Sequence, residues 1–189
     1  MQRTTVGRLA LLMGAILFTG CGYNRLVGMR ENVDAAWAQV ENQLQRRNDL
    51  IPNLVEVTKG YAPHEKEIFE AVANARSRLI GAGSRDEKID AANQLEGALG
   101  RLLVIAERYP DLKADAQFAK LSDELAGTEN RIAVERMRFN DAVRAYNTTQ
   151  KEFPASLWAG WLGFTPGKYF EAPPDAKQVP KVDFGTAPK

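Results

Sequence analysis

The sequence predicts an all-α protein, an elongated four-helix bundle of long antiparallel helices with an irregular aromatic and Pro-rich C-terminal tail. Apolar residues recur every three or four positions along four segments, the spacing of one helix face. Gly and Pro separate the segments, and none shows the sustained alternation typical of a strand. Since an apolar stripe must be buried against another, a bundle is the simplest arrangement of four such helices.

The first predicted helix runs from Tyr23 to about Gly60. Its apolar residues follow steps of three, four or seven, as in helices packed like a coiled coil: Val33, Trp37, Val40, Leu44, Ile51 and Leu54. Pro52 interrupts this pattern, and we expect it to kink the helix because Pro has no amide hydrogen to donate.

Two shorter helices follow. The second is expected to begin at Pro63 and to stop at Gly81, with a buried stripe of Ile68, Val72, Ala75 and Leu79. The third starts at a capping box, in which Ser84 and Glu87 exchange hydrogen bonds with each other's backbone. Its expected stripe is Ile89, Ala92, Leu95, Leu99, Leu102 and Ile105.

The fourth predicted helix extends from about Asp111 to Glu152, and Pro154 ends it. Its stripe comprises Phe118, Leu121, Leu125, Thr128, Ile132, Phe139, Val143, Tyr146 and Phe153. Residues 21–154 would therefore form the bundle, and residues 155–189 a C-terminal extension. After Glu171 this extension is rich in Pro and polar residues, which predicts an extended or disordered chain.

The N-terminus has the pattern of an export signal. Arg3 and Arg8 precede an apolar run, residues 9–20, which is shorter than the roughly 20 residues that span a bilayer. We therefore predict that residues 1–20 form a signal peptide. They end at Leu17-Phe18-Thr19-Gly20-Cys21, which resembles the lipobox of bacterial lipoproteins, although Phe18 stands where Leu is usual.

The lipobox resemblance implies that Cys21 is acylated, that cleavage occurs before it, and that lipid holds the protein on a membrane. The alternative is an uncleaved anchor formed by residues 6–22. The expected location is the cell envelope, with the bundle facing the periplasm. Gly22, rather than Asp, follows the Cys, which favours the outer membrane over the inner one.

The composition excludes several classes of protein. A net charge of +1 argues against nucleic-acid binding. One Cys and one His leave no disulfide framework, multi-cysteine zinc site or histidine-rich metal centre. There is also no Gly-x-Ser-x-Gly nucleophile motif. We therefore expect a protein that is not an enzyme and carries no cofactor.

Two charged residues lie in apolar phases of the predicted long helices: Arg47 in the first and Glu135 in the last. They predict a buried ion pair that fixes helix register, or a polar ligand pocket near Arg47. Arg46, Glu129 and Arg131 could extend this network.

Two further groups carry candidate functions. His64, Glu65 and Glu107 are the residues that most resemble an acid–base or metal cluster, and they would make the protein a metal-assisted hydrolase. Against this, His64 and Glu65 are adjacent and point apart on a helix, and Glu65 also suits a helix N-terminus. The aromatic residues Trp158, Trp161 and Phe164 predict a cap over one end of the bundle, or a contact with the membrane or a partner.

Several motifs follow one another along the chain: Tyr23-Asn24-Arg25-Leu26-Val27, Gln45-Arg46-Arg47-Asn48-Asp49-Leu50-Ile51-Pro52, Tyr109-Pro110-Asp111-Leu112, Thr128-Glu129-Asn130-Arg131-Ile132, Tyr146-Asn147 and Tyr169-Phe170-Glu171. In this order they resemble the motifs of the LemA family of bacterial envelope proteins. The resemblance implies a helical bundle on a membrane, exposed to one aqueous side, and supplies no catalytic residues. Many members look anchored by a simple N-terminal hydrophobic helix, from which Cys21 departs.

Together these observations predict a LemA-like envelope lipoprotein that acts as a membrane-tethered scaffold or interaction protein. Its expected partner is an unidentified envelope protein or a second copy of itself.

Overall fold

The computed structural model describes the backbone of residues 2–171 and the side chains of residues 22–171. This part of the chain forms five α-helices and no strand, which confirms the all-α class. The helices are α1 (Gln2–Tyr61), α2 (Lys66–Gly81), α3 (Arg85–Arg108), α4 (Pro110–Ala114) and α5 (Ala116–Lys151), and a 3-10 turn follows at Ala155–Leu157. The predicted tail beyond Glu171 lies outside the described residues.

Helices α1 and α5 pack antiparallel along their length. Three contacts establish the direction, because they descend along α5 as they ascend along α1: Trp37 with Phe139, Arg47 with Glu129, and Tyr61 with Asp115. Helices α2 and α3 pack against each other. Ion pairs from Arg85 to Asp34, at 2.6 Å, and from Lys88 to Glu41 join α3 to α1.

The apolar stripes predicted for α1 and α3 are buried in full. α1 continues through Pro52, which is exposed. In α2, Phe69 is buried and Ile68 is only half-buried, so the stripe is displaced by one position at its start. In α5, the predicted stripe is buried up to Tyr146, but Phe153 is 81% exposed because the helix ends at Lys151.

Helix α2 begins at Lys66 rather than at Pro63. The intervening residues reverse the chain direction. The backbone N–H of Ala62 donates to the Thr58 carbonyl at 2.9 Å, and that of Glu65 donates to the Ala62 carbonyl at 3.2 Å. A connection between antiparallel helices needs a few non-helical residues, so Pro63 belongs to the turn.

The predicted fourth helix is two helices, and the expectation of one continuous helix is wrong. Asp115 is extended, with φ −69° and ψ 124°, and it separates α4 from α5. Its carboxylate accepts hydrogen bonds from the Phe118 backbone N–H at 2.8 Å and from the Tyr61 hydroxyl at 2.9 Å. An Asp that caps a new helix in this way competes with continuation of the previous one.

The capping box at the start of α3 is confirmed. Ser84 Oγ accepts from the Glu87 backbone N–H at 3.2 Å, and Glu87 Oε2 accepts from the Ser84 and Gly83 backbone N–H groups at 3.2 and 2.8 Å. These two backbone donors lower the pKa of Glu87, because they stabilise its charged form.

The Asp115 cap should make stability depend on pH. Hydrogen bonds from Phe118 and Tyr61 lower the pKa of Asp115 below that of the unfolded chain. Its contribution is therefore present above the unfolded pKa, about 4, and is lost as the pH falls through the folded pKa. Asp115→Ala should lower the free energy of unfolding at neutral pH, and the difference from the parent protein should shrink in acid.

Asp115→Asn is the matched control, because Asn also caps helices but does not titrate. Chemical denaturation followed by circular dichroism at several pH values measures both variants. An Ala variant as stable as the parent protein at neutral pH would contradict the assigned cap.

Candidate functional site

Arg47 lies on α1 between α3 and α5, and its side chain is fully buried. Nη1 donates to Glu129 Oε2 on α5 at 2.7 Å, and Nη2 donates to the Ala92 carbonyl on α3 at 3.3 Å. Burial lowers the pKa of Arg47, and the Glu129 carboxylate opposes that shift. One guanidinium therefore ties α1, α3 and α5 together.

A second ion pair joins α5 to α3. Arg136 donates to Glu96 Oε2 at 3.0 Å, and its guanidinium carbon lies 4.3 Å from the centre of the Phe170 ring. Arg136 tends to lower the pKa of Arg47 and Glu96 tends to raise it, so the two pairs interact electrostatically. The four charges balance, which limits the cost of placing them between helices.

The structure places the predicted network residues differently from the expectation. The predicted pair between Arg47 and Glu135 is wrong, because Glu135 accepts from Arg138 on its own helix at 2.7 Å. Arg46 and Arg131 lie exposed on helix surfaces. Glu129 directly follows the buried Thr128. The contacts of Trp37 with Phe139 and of Tyr61 with Asp115 set the antiparallel register of α1 and α5. In that register Glu129 lies opposite Arg47, whereas Glu135 lies further along α5.

A groove of about 360 Å³ opens between α3 and α5 beside this network. Glu129 lines the groove and also binds Arg47, so it connects the groove to the ion-pair network. The remaining lining is mostly apolar: Glu96, Leu99, Gly100, Leu103, Leu125, Ala126 and Asn130. Such a groove can hold an apolar group while the carboxylates orient a polar one.

The proposed acid–base trio does not assemble. His64 is exposed in the turn before α2. Glu65 accepts a hydrogen bond from the Tyr109 hydroxyl at 3.3 Å and forms an ion pair with Arg108 at 3.1 Å, whereas Glu107 pairs with Lys113 at 2.8 Å. Among residues 22–171, no three His, Cys, Asp or Glu side chains are placed to hold a metal ion. The prediction of a metal cluster at these residues is therefore wrong.

Residues 164–171, here called the strap, lie along α5 through paired amide hydrogen bonds. The Asn147 side chain donates to the Gly167 carbonyl at 2.9 Å and accepts from the Gly167 N–H at 2.8 Å. Asn140 makes the same exchange with Phe170, at 3.0 and 2.8 Å. The Gln150 amide donates to the Thr165 carbonyl at 3.2 Å. These contacts align the strap with the helix at three points.

Sequence reasoning missed these asparagines as functional residues. Both follow an aromatic residue of the buried stripe, in Phe139-Asn140 and Tyr146-Asn147, and they are seven positions apart. A spacing of seven places two side chains on the same helix face. That spacing is the pattern by which the sequence could have revealed the strap site.

The three predicted aromatic residues have different environments. Phe164 is buried and stacks edge-on against Tyr23, with ring centres 5.6 Å apart, and against Trp158 at 6.4 Å. Trp158 is half-buried, and Trp161 is 91% exposed. A Cβ added to Gly22 would lie 3.0 Å from the Trp158 ring. Residues 153–164, here called the cap, therefore pack against the start of the described side chains of α1.

The side chain of Cys21 lies outside the described residues, as do those of residues 1–20. In the part of the chain that the structure describes, no helix combines the length and the hydrophobicity needed to span a membrane.

Comparison with known proteins gives consistent matches. Residues 36–184 match the model of the LemA family. Magnetosome protein MamQ of Magnetospirillum gryphiswaldense is 29% identical over an alignment of 178 residues that covers 80% of this chain and 65% of that protein. Magnetosome protein MamQ 1 of Paramagnetospirillum magneticum is 28% identical with the same coverage. The chain thus spans just under two thirds of the length of these magnetosome relatives.

A further relative is Protein LemA of Metamycoplasma hominis. It is 23% identical over an alignment of 182 residues that covers 94% of this chain and 80% of that protein. The likeness therefore extends over nearly the whole chain.

Removing the partner of Arg47 should destabilise the protein strongly. Glu129→Gln leaves a buried guanidinium without its counter-charge, which costs about 3–5 kcal/mol in a fully buried pair. Because the Glu129 side chain is 36% exposed, we expect a smaller loss, about 2 kcal/mol. Urea denaturation measures the change.

Glu135→Gln is the matched control on the same helix, since it breaks a local pair with a largely exposed Arg138. Its cost should stay below about 1 kcal/mol. Equal losses in the two variants would show that Arg47 does not depend on Glu129.

Asn147→Ala should loosen the strap. It removes two hydrogen bonds to Gly167, worth about 1 kcal/mol each. Trypsin should then cleave after Lys168, inside the strap, several-fold faster than in the parent protein. Asn130→Ala, an exposed position on the same helix, should leave the cleavage rate unchanged. Unaltered cleavage in both variants would argue against the paired amides as the strap's attachment.

Proposed function

Because the chain belongs to the LemA family, we propose that it is a non-enzymatic, membrane-tethered scaffold or interaction protein of the bacterial cell envelope. Residues 1–20 act as a signal peptide, and lipid on Cys21 provides the tether. The four long helices pack as an elongated bundle that faces the periplasm, from the outer membrane in preference to the inner one. The partner is another envelope protein or a second copy of the chain.

The observation that carries this proposal is the position of Gly22. It directly follows Cys21 and packs against Trp158 of the cap. The tether therefore joins the helices at an ordered end, without an intervening flexible linker. The opposite end of the α1–α5 pair, where the Tyr61 hydroxyl donates to Asp115, is then held away from the membrane. A partner can reach it there.

The long helix surfaces support an interaction role over a catalytic one. Charged groups at the candidate sites are engaged in structural contacts: Arg47 holds Glu129, Glu65 holds Arg108, and Glu107 holds Lys113. The names of the relatives describe a magnetosome protein and LemA.

The test compares bacteria that produce the parent chain with bacteria that produce Cys21→Ala. The parent chain should incorporate labelled fatty acid, lose residues 1–20, and crosslink reproducibly to one partner or to itself. The variant should keep residues 1–20 and take up no label. Normal processing of the variant would refute lipidation, and a strictly monomeric parent chain without neighbours would refute the scaffold role.

Phe18→Leu provides the matched control, because it brings the sequence before Cys21 closer to the usual lipobox. It should be processed and labelled like the parent chain. Membrane fractionation of the same cells separates the outer from the inner membrane.

A second candidate function is sensing of a small ligand in the groove between α3 and α5. It is favoured by Glu129, which connects the groove lining to the buried Arg47. A ligand that binds only the folded state must raise the melting temperature. Thermal-shift screening should find a compound whose effect is lost in Leu103→Glu, a change in the groove wall. The absence of any stabilising compound in a broad screen would remove this candidate.

A further inference from the structure

The cap and the first residues of the strap form a surface segment without charged side chains. Residues 153–167 include no charged residue, although 26% of the whole chain is charged. Within them, four large apolar side chains are at least half exposed: Phe153 at 81%, Leu157 at 74%, Trp161 at 91% and Leu162 at 50%. We call these four residues the foot.

The foot is not needed for the packing of the cap itself. Ala155, Ala159 and Phe164 form the buried side of the cap. Backbone hydrogen bonds hold its turns, among them Ala159 N–H to the Ala155 carbonyl at 2.8 Å and Phe164 N–H to the Ala159 carbonyl at 3.0 Å. An ordered backbone thus presents apolar side chains to the surroundings, an arrangement that points to a binding surface.

The position of the foot identifies what it meets. The cap touches α1 at Gly22 and Tyr23, immediately after the residue that the proposed function makes the lipid attachment point. Acyl chains on Cys21 would enter the bilayer one residue away from this contact. An uncleaved anchor formed by residues 6–22 would bring the membrane to the same end of the molecule.

The charges around the foot suit a phospholipid surface. Lys151 and Lys168 flank the uncharged segment, and Arg25 and Arg30 lie on the adjacent part of α1; all four are exposed. Glu152 and Glu31 are exposed acids at this border, and Lys168 also pairs with Asp86 at 3.4 Å. Basic residues beside aromatic and aliphatic side chains are typical of segments that lie in the headgroup region.

We propose that the foot inserts into the boundary between headgroups and acyl chains of the bilayer that holds the N-terminus. This inference rests on the proposed membrane tether and deepens it. A tether at Cys21 alone would let the helices tilt freely, whereas a second contact through the cap fixes their orientation. The occupant is therefore the phospholipid surface, rather than a second copy or another protein.

Tryptophan quenching tests this proposal on the full chain. The protein is purified from bacterial membranes and reconstituted in vesicles of phosphatidylethanolamine and phosphatidylglycerol, with lipids brominated high on the acyl chains. Emission from Trp161 should be quenched, because bromine quenches only fluorophores in contact with it. Trp161→Phe should lose most of the quenchable emission. Trp37→Phe should keep it, since Trp37 is buried between helices.

A second pair of variants leaves the fluorophores in place. Leu157→Ser combined with Leu162→Ser should reduce quenching of Trp161 several-fold. Val104→Ser, which changes a 61% exposed residue of α3, should leave the quenching unchanged. Flotation of the vesicles shows in each case whether the protein is bound.

The outcomes separate the two proposals. If the chain floats with the vesicles but Trp161 is not quenched, the foot is rejected and the tether stands. If the chain fails to float, both are rejected. A photoreactive group at position 161 that crosslinks in cells to a second copy or to another protein, instead of to lipid, would also overturn the assignment.

Discussion

Burial of the α1 stripe against α5 is the constraint on which the rest of the structure depends. The two helices share the longest contact of the described chain, and Arg47 lies within it. A slide of one helix turn would still cover many apolar side chains. It would, however, separate the buried guanidinium from Glu129, and an unpaired buried charge costs several kcal/mol. The apolar stripe thus brings the helices together, and the ion pair selects their register.

The strap and the cap depend on that register. Asn140 and Asn147 bind the strap from α5, while Trp37 of α1 lies 6.3 Å from the Phe170 ring at the far end of the strap. The cap folds where the two helices meet near Gly22. Both C-terminal features therefore depend on the alignment of α1 with α5, and they cover the membrane-proximal end of the proposed assembly.

Much of the fold could be predicted from the sequence, because helical periodicity is a local property. The stripe from Val33 to Leu54 and the capping box at Ser84 each depend on neighbouring residues only. The errors fall where distant residues decide the outcome. Asp115 ends α4 with help from Tyr61, and the register of α1 against α5 places Glu129 rather than Glu135 opposite Arg47. The exposure of Trp161 and the burial of Phe164 depend on how the cap folds, which their spacing does not specify.

The strap is bound to α5 through its main chain, and this determines which of its side chains can be replaced. Asn147 and Asn140 bind the peptide groups of residues 167 and 170. These hydrogen bonds do not involve the side chains of the residues between them. The side chain of Tyr169 takes no part in these hydrogen bonds, whereas Lys168 also pairs with Asp86 at 3.4 Å. A Cβ at position 167 would lie 3.3 Å from Val143, so any larger residue there must displace the Val143 side chain. The paired amides thus fix the course of the main chain and leave the choice of side chain at position 169 open.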